Sequence, residues 1–516
     1  MTISRIITMA ALLCAACFQS YAQNTARTSR KTSAQWYVDR KMKEEPFRSG
    51  LAGVLAVKMS GDTIAEYGSL RKLLPASNTK LITTGLAVRV LGPEYTYSTA
   101  IGYAGRLAGG VLHGDLYIVG GGDPTIASRD PEALPADSLF SCWKSIIENA
   151  GIQRIEGDII GDGRYFDGPI ENDSWSYGDL GTYYGAGCNG LSFHRNILNV
   201  NVMPGDRPGA PVKVTNLYPS LPWIEMRKTC ITGPAGSGDN LYLFNTDLAP
   251  VAELRGSLAV DKGPRKEECS FKFGALACAS YFLDYLRKNG VEVEGGAADV
   301  DSYGNIRTVR SLGERRDRQL RPAESVADMC IIGSVESPSL GVIAHTTNSR
   351  SDNFYAETLL RTIARERTGS ASYDSCKVVI ARELDSLDID PSYGIQMVDG
   401  SGLARHNYIS PDFFCRFLGA MAAQPCFRQY LATISSPGEA GMRSRLSAQP
   451  AELKSRIHMK SGSMNGVLCY SGYILPSSGK AEDTVVFSIM TNNCTGPSSP
   501  VLRCIDELIP LIAKGM

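Results

Sequence analysis

The sequence predicts an α+β fold. One antiparallel sheet is built from both ends of the chain, helices cover its faces, and a long, mostly β segment is inserted between the two parts. Three observations carry this. Strand-like runs lie near the N-terminus (51–59 and 63–67) and again near the C-terminus (456–460, 469–475 and 484–490). Helical periodicity fills most of the interval between 339 and 423. From about 96 to 325 the texture changes to short β-type runs broken by Gly, Pro and Asp. The expected organisation is therefore 23–95 and 326–516 for the main domain, with 96–325 forming one or two accessory domains.

Taken in order, residues 51–59 alternate as a strand, Ser60-Gly61-Asp62 is a tight turn, and 63–67 returns. After Pro75, an apolar helix-like stretch begins near Ser77 and stops at Gly92-Pro93. Within the insertion the clearest strand-like runs are 112–119, 155–160, 198–203 and 212–215, interrupted by helical patterns at about 137–150 and 274–289. Beyond it, helices are expected over 339–347, 352–366, 374–387 and 411–423, and a closing helix over about 501–513.

Composition excludes several classes. With 516 residues and an ordinary 43% hydrophobic and 21% charged content, the chain is long enough for well-buried cores and is not disordered. Lys+Arg 53 balances Asp+Glu 53, so no net field favours nucleic acid. Arg5, the apolar run 6–18 and Ser20-Tyr21-Ala22 have the layout of an export signal over 1–22, cleaved before Gln23. Cys14 and Cys17 offer a lipid attachment point as an alternative, but neither follows a lipobox. No later run is long enough to cross a membrane. Of 14 cysteines, the 12 beyond residue 22 show no Cys-x-x-Cys pair and no zinc-type spacing, so buried free thiols with a bridge or two are expected.

Ser-x-x-Lys occurs four times, at Ser69/Lys72, Ser77/Lys80, Ser141/Lys144 and Ser477/Lys480, so the pattern alone is weak. Ser69 lies in a basic link, Ser477 in a turn, and Ser141 on an ordinary half-exposed helix. Ser77 alone starts a strongly apolar helix, where Lys80 would face it one turn on and lose its water. That matters because lysine normally titrates near ~10.4, and bringing it close to neutrality costs about 4 kcal/mol, which takes burial or a second cation. Lys460-Ser461-Gly462 ends a strand-like run and supplies such a cation. Ser351-Asp352-Asn353 opens the helix expected at 352–366. The motifs are 274 positions apart (77 to 351) and then 109 (351 to 460).

Taken alone, each motif has a plainer explanation. Ser77 and Ser351-Asp352-Asn353 could be capping residues, and Lys460 an edge-strand charge. Gly120-Gly121-Gly122 lacks the Gly-Lys-Ser/Thr of a phosphate loop and is a turn. Asp399-Gly400-Ser401-Gly402 misses the Gly-x-Ser-x-Gly of a nucleophile elbow and suits a turn or a supporting segment. The histidines at 113, 194, 345, 406 and 458 have neither triad nor metal spacing.

The three motifs in this order resemble those of penicillin-binding serine peptidases and their serine β-lactamase relatives. Their spacing is similar to that of the low-molecular-mass D-alanyl-D-alanine carboxypeptidase/endopeptidase group, marked by a large insertion between the first two motifs. Gly114 through Thr125, Val398-Asp-Gly-Ser-Gly-Leu403 with Arg405-His406-Asn407, and the region of Trp175, Asp179 and Tyr184-Gly-Ala186 strengthen the likeness, which covers the mature chain. The resemblance implies a β-lactamase/transpeptidase-like domain, and an acyl-enzyme formed on Ser77 from the peptide bond between two D-alanines. Lys80 would take the Ser77 proton, Ser351 would relay one to the leaving amine, and Asn353 would hold Lys80 and the substrate amide. Lys460 would add positive charge near the substrate carboxylate and Ser461 would hydrogen-bond it, with Gly462 beside them among the substrate-binding residues, and the N–H groups of Ser77 and Ser463 would form the oxyanion hole. Asp179 would meet a cationic side chain of the stem peptide, a surface ion pair being the alternative.

The resemblance further implies peptidoglycan peptides and β-lactams as partners, a periplasmic site of action, and no metal or cofactor. It leaves the oligomeric state open. One departure from the group is Ser461, where threonine is usual; the hydroxyl is kept and a methyl lost. A serine β-lactamase would need a separate deacylating base in a compact chain. A non-catalytic penicillin-binding module would not need the intact nucleophile and base.

Overall fold

The computed structural model describes residues 31–308 and 325–516, so the expected export signal, with Cys14 and Cys17, lies outside the described residues. The main sheet joins the two ends of the chain as expected. Its order is Thr63–Tyr67, Leu51–Lys58, Val485–Asn492, Val467–Ile474 and Ile457–Met464, with every neighbouring pair antiparallel. The middle strand Val485–Asn492 is buried along its whole length, which explains its near-continuous apolar sequence. Its side chains divide by the two-residue period of a strand. Val485, Phe487 and Ile489 enter one core, and Val486 and Met490 enter the other.

The first core is closed by helices Ser33–Lys41 and Ser499–Lys514. The latter places Val501, Cys504, Ile505, Leu508, Ile509 and Ile512 inward at helical spacing. The opposite face carries Thr79–Leu91, which is buried on all sides from Thr79 to Val88 and packs among Leu340–Ser349, Asn353–Thr368 and Phe427–Ala432. A helix surrounded in this way can hide a charged side chain from water. Lys80 is one of its buried residues.

The intervening segment has its own core, where Trp143 meets Phe282 edge-on with ring centroids 5.3 Å apart. Its largest sheet has eight strands and includes parallel pairs. Val111–Val119 runs parallel to Ile159–Asp162, which in turn runs parallel to Ala297–Val300. The helices Ala136–Asn149 and Gly274–Lys288 make the crossovers that parallel pairing requires. The run expected as one strand at 155–160 is split into Arg154–Ile155 and Ile159–Asp162. At the break the Asp115 carboxylate accepts the Asp158 N–H at 2.7 Å, and a Cβ on Gly157 would stand 2.3 Å from that carboxylate. Strand Cys330–Glu336 returns to pair with Ser98–Ala108. The 12 described cysteines are all free thiols, with no bridge among them.

One glycine fixes how sheet and helix meet. A Cβ on Gly462 would lie 2.6 Å from the Pro75 carbonyl and 2.9 Å from the Ser77 nitrogen, so the edge strand touches the Ser77 turn backbone to backbone. Gly462→Ala is expected to cost about 1–3 kcal/mol of stability and to move Ser77. Thermal melting, together with the rate of Ser77 acylation by a penicillin, checks this; an unchanged rate and melting temperature would refute it.

Candidate active site

Ser77 belongs to a single 3₁₀ turn, Ala76–Asn78, that feeds the α-helix beginning at Thr79. The sequence suggests that Ser77 opens the helix itself. The tighter turn brings positions three apart closer to eclipsed, placing the Ser77 hydroxyl beneath Lys80. Ala76 has φ 47°, and its carbonyl accepts the Thr79 hydroxyl at 2.9 Å. That carbonyl would be 1.9 Å from a Cβ on Gly402, whose own φ is +83°. The turn is thus held between two glycines, Gly402 and Gly462.

Lys80 is fully buried and donates three hydrogen bonds: to Ser77 Oγ at 3.0 Å, to Asn353 Oδ1 at 2.6 Å and to the Ser401 carbonyl at 2.8 Å. Burial pushes its amine down to about 8, against the opposing pull of Asp352, Asp399 and Glu357. Lys460 is 2% exposed and donates to Ser351 Oγ at 2.9 Å and to the Ser461 carbonyl at 2.6 Å. Its amine is pushed well below the usual lysine range, first by burial and then by the charge of Lys80. The second cation is therefore present, but it is burial that lowers Lys80, while the charge of Lys80 helps lower Lys460.

Ser351 sits in the left-handed region at φ 57°, between helix Leu340–Ser349 and Asp352. Asp352 caps helix Asn353–Thr368 by accepting the Tyr355 N–H at 3.0 Å. Its other carboxylate oxygen pairs with Arg195. Arg350 and the Tyr355 hydroxyl both bind Asp130. Asn353 Nδ2 donates to the Tyr184 carbonyl at 2.9 Å. Asp130, Tyr184 and Arg195 all come from the inserted segment, so that segment grips the second motif on three sides.

These groups border a cleft of about 620 Å³, lined by Ser77, Ser351, Asn353 and Ser463 among others. Asp179 also lines it and accepts the Tyr184 hydroxyl at 3.3 Å. No basic side chain forms an ion pair with Asp179 among the described residues. Lys80 and Lys460 lie behind the cleft wall. Ser461 is half-buried on strand Ile457–Met464, between Lys460 and the close-packed Gly462. The competing Ser-x-x-Lys pairs are ordinary surface features. Lys144 binds Glu148 at 2.5 Å, while Lys72 and Lys480 are exposed.

Several members of the site were not assigned from sequence. The stretch 398–403 looked like a supporting turn, and its Ser401 carbonyl proves to be a direct acceptor for Lys80. Glu357 beneath it, and the clamp of Asp130 and Arg195, had no signal beyond residue type. Among the described residues, no group of three or more His, Cys, Asp or Glu side chains could hold a metal ion.

A serine hydroxyl against a buried amine, faced by a second Ser–Lys pair and a side-chain amide, can carry out acyl transfer without a histidine. With this fold, the arrangement is that of a penicillin-binding serine DD-peptidase. Residues 35–305 and 307–506 match the D-Ala-D-Ala carboxypeptidase 3 (S13) family, and the chain belongs to it. It is 27% identical over 486 residues to a D-alanyl-D-alanine carboxypeptidase of Actinomadura sp. (strain R39), covering 92% of this chain and 83% of that one. It is 23% identical over 429 residues to the D-alanyl-D-alanine carboxypeptidase DacB of Haemophilus influenzae, covering 82% of each. The crystal structure of penicillin binding protein 4 (dacB) from Haemophilus influenzae shares the fold, with TM-score 0.76 at 20% identity over 92% of this chain and 99% of that one.

Two outcomes follow from the geometry. If Lys80 accepts the Ser77 proton, acylation depends on its neutral form, so the rate rises with pH through about 8 and falls below it. A pH series of penicillin acylation rates reads this directly. Arg195→Ala leaves Asp352 without its partner and loosens Ser351, and should slow acylation roughly ten- to hundredfold in a protein that still folds. Stopped-flow acylation beside a melting curve separates the two effects.

Proposed function

We propose that this protein is an exported serine D-alanyl-D-alanine carboxypeptidase that also opens cross-links as an endopeptidase, acting on peptidoglycan stem peptides through an acyl-enzyme on Ser77 and inhibited by penicillins. The observation that carries it is the buried Lys80 amine, 3.0 Å from Ser77 Oγ and shifted to about 8. Family membership supports the same reaction. Export rests on the signal-like layout of residues 1–22; among the described residues no helix is long and apolar enough to cross a membrane.

In this reading Lys80 removes the Ser77 proton as Oγ attacks the carbonyl of the penultimate D-alanine. The N–H groups of Ser77 and Ser463 receive the oxyanion, a contribution of about 3–4 kcal/mol per donor. Ser351, hydrogen-bonded to Lys460, passes a proton to the leaving amine and the C–N bond breaks. Water then cleaves the ester and restores Ser77. Lys460 adds positive charge near the terminal carboxylate, the Ser461 hydroxyl hydrogen-bonds it, and Asn353 holds both Lys80 and the substrate amide. Asp179, on the cleft wall without a cationic partner among the described residues, takes a cationic stem-peptide side chain.

The test is intact-protein mass spectrometry after incubation with a penicillin, run beside D-alanine release from a pentapeptide. Expected are a long-lived adduct on Ser77 and D-alanine release, both abolished in Ser77→Ala. An adduct without release would instead indicate a binding module. Rapid penicillin turnover would indicate a β-lactamase, and an adduct on another serine would overturn the site.

A further inference from the structure

We propose that Glu357 is the positioning residue of the base: it fixes the turn at 399–404 so that the Ser401 carbonyl is aimed at Lys80, and its charge adds to the hold of Lys80 on its proton. This rests on Lys80 being the base, as argued above.

Glu357 lies one helical turn after Asn353, so the two share a helix face: Asn353 touches Lys80 directly, while Glu357 reaches the turn that also touches it. The side chain is fully buried. Its two carboxylate oxygens accept the backbone N–H groups of Ser401 at 2.8 Å and Gly400 at 3.1 Å. The opposite edge of the same turn faces the nucleophile helix. There the Gly400 carbonyl accepts the Thr83 hydroxyl at 2.6 Å, and the Ser401 carbonyl accepts Lys80 at 2.8 Å. One edge of the turn is thus clamped by a carboxylate and the other presents acceptors to the helix.

The turn lies flat on the Glu357 helix, where a Cβ on Gly400 would stand 2.6 Å from the Ala356 carbonyl. Asp399 secures the rest of it, accepting the N–H of Gly402 at 2.9 Å and of Ala404 at 2.7 Å. No other acceptor takes the place of Glu357 under Gly400 and Ser401 among the described residues.

The charged and titratable groups facing Glu357 are Asp399 from the turn, Lys80 from the nucleophile helix, Tyr373 and Cys376 from helix Tyr373–Asp385, and Cys188 from the inserted segment. Burial, and then Asp399, hold Glu357 up to about 7, while the Ser401 side chain and then the two N–H bonds oppose them. Its negative form favours the cationic form of Lys80. Removing the charge therefore lowers the affinity of Lys80 for its proton.

The test is the pH dependence of Ser77 acylation by a penicillin in the intact protein. In Glu357→Gln the rising limb should move to lower pH by roughly one pH unit, with a reduced plateau because a carboxamide offers one acceptor where two are needed. Glu357→Asp, which keeps the charge, should leave the limb in place and lower only the plateau. A limb that stays put in Glu357→Gln, or moves equally in both variants, overturns the proposal. Should Glu357→Gln fail to fold, Lys80→Met supplies the reciprocal reading. Without the cation, the infrared band of the protonated buried carboxyl should persist to higher pH than in the parent, and an unchanged titration overturns the coupling. A parent protein that shows no adduct on Ser77 at all would instead refute the acyl-enzyme reading on which this depends.

Discussion

Everything in this molecule is arranged around two ammonium groups taken out of water. Lys80 is fully buried and Lys460 nearly so, on a helix and a strand that touch. Removing each from water costs several kcal/mol, roughly, unless every proton finds an acceptor. That requirement dictates the neighbours. Lys80 takes a hydroxyl, a side-chain amide and a backbone carbonyl, each from a different part of the chain. Lys460 takes a hydroxyl and a carbonyl. Among the described residues, no acceptor in direct contact with either amine is a carboxylate, so the nearby acids act only from beyond the hydrogen-bonding partners. A carboxylate in contact would have held Lys80 protonated and useless as a base.

The same requirement gives the inserted segment a structural part in the site. Ser351 is kept in a left-handed conformation that serine seldom adopts, a strain that persists only where the surroundings over-determine it. The surroundings are Asp130 on Arg350 and Tyr355, Arg195 on Asp352, and the Tyr184 carbonyl on Asn353. The main domain supplies the three motifs and the insertion holds one of them in place. A long insertion between the first and second motifs is in that sense part of the catalytic geometry.

Much of this was legible in the sequence, for identifiable reasons. The sheet strands announce themselves because Val485–Asn492 is buried on both faces and the helices beside it carry strong apolar periodicity. The motif residues could be assigned because hydroxyl, amine and amide side chains in that order restrict the chemistry. Contacts made by backbone atoms, or between residues of common type, stayed hidden. Ser401 contributes a carbonyl, which any residue could offer, and only the turn geometry directs it at Lys80. Arg195 and Asp130 are an ordinary arginine and aspartate until the fold sets them beside Asp352 and Arg350. Parallel pairing inside the insertion was likewise invisible, because short runs such as 155–160 show strand character but not partner or direction. The signal-like layout of residues 1–22 is a property of sequence alone.

The two lysines also oppose one another, and this bears on when the base becomes active. With both buried, a proton on one disfavours a proton on the other, and burial holds both amines below the usual lysine range. A proton on Lys80, beside Ser77, blocks proton removal from the hydroxyl. A substrate carboxylate arriving next to Lys460, as the proposed reaction requires, favours protonation there. The new cation then weakens the hold of Lys80 on its own proton. On this account, substrate binding itself favours positive charge on the carboxylate side of the site over the nucleophile side. The base is set free when an acyl donor with a free carboxylate is in place. A penicillin, which also carries a carboxylate, would trigger the same redistribution.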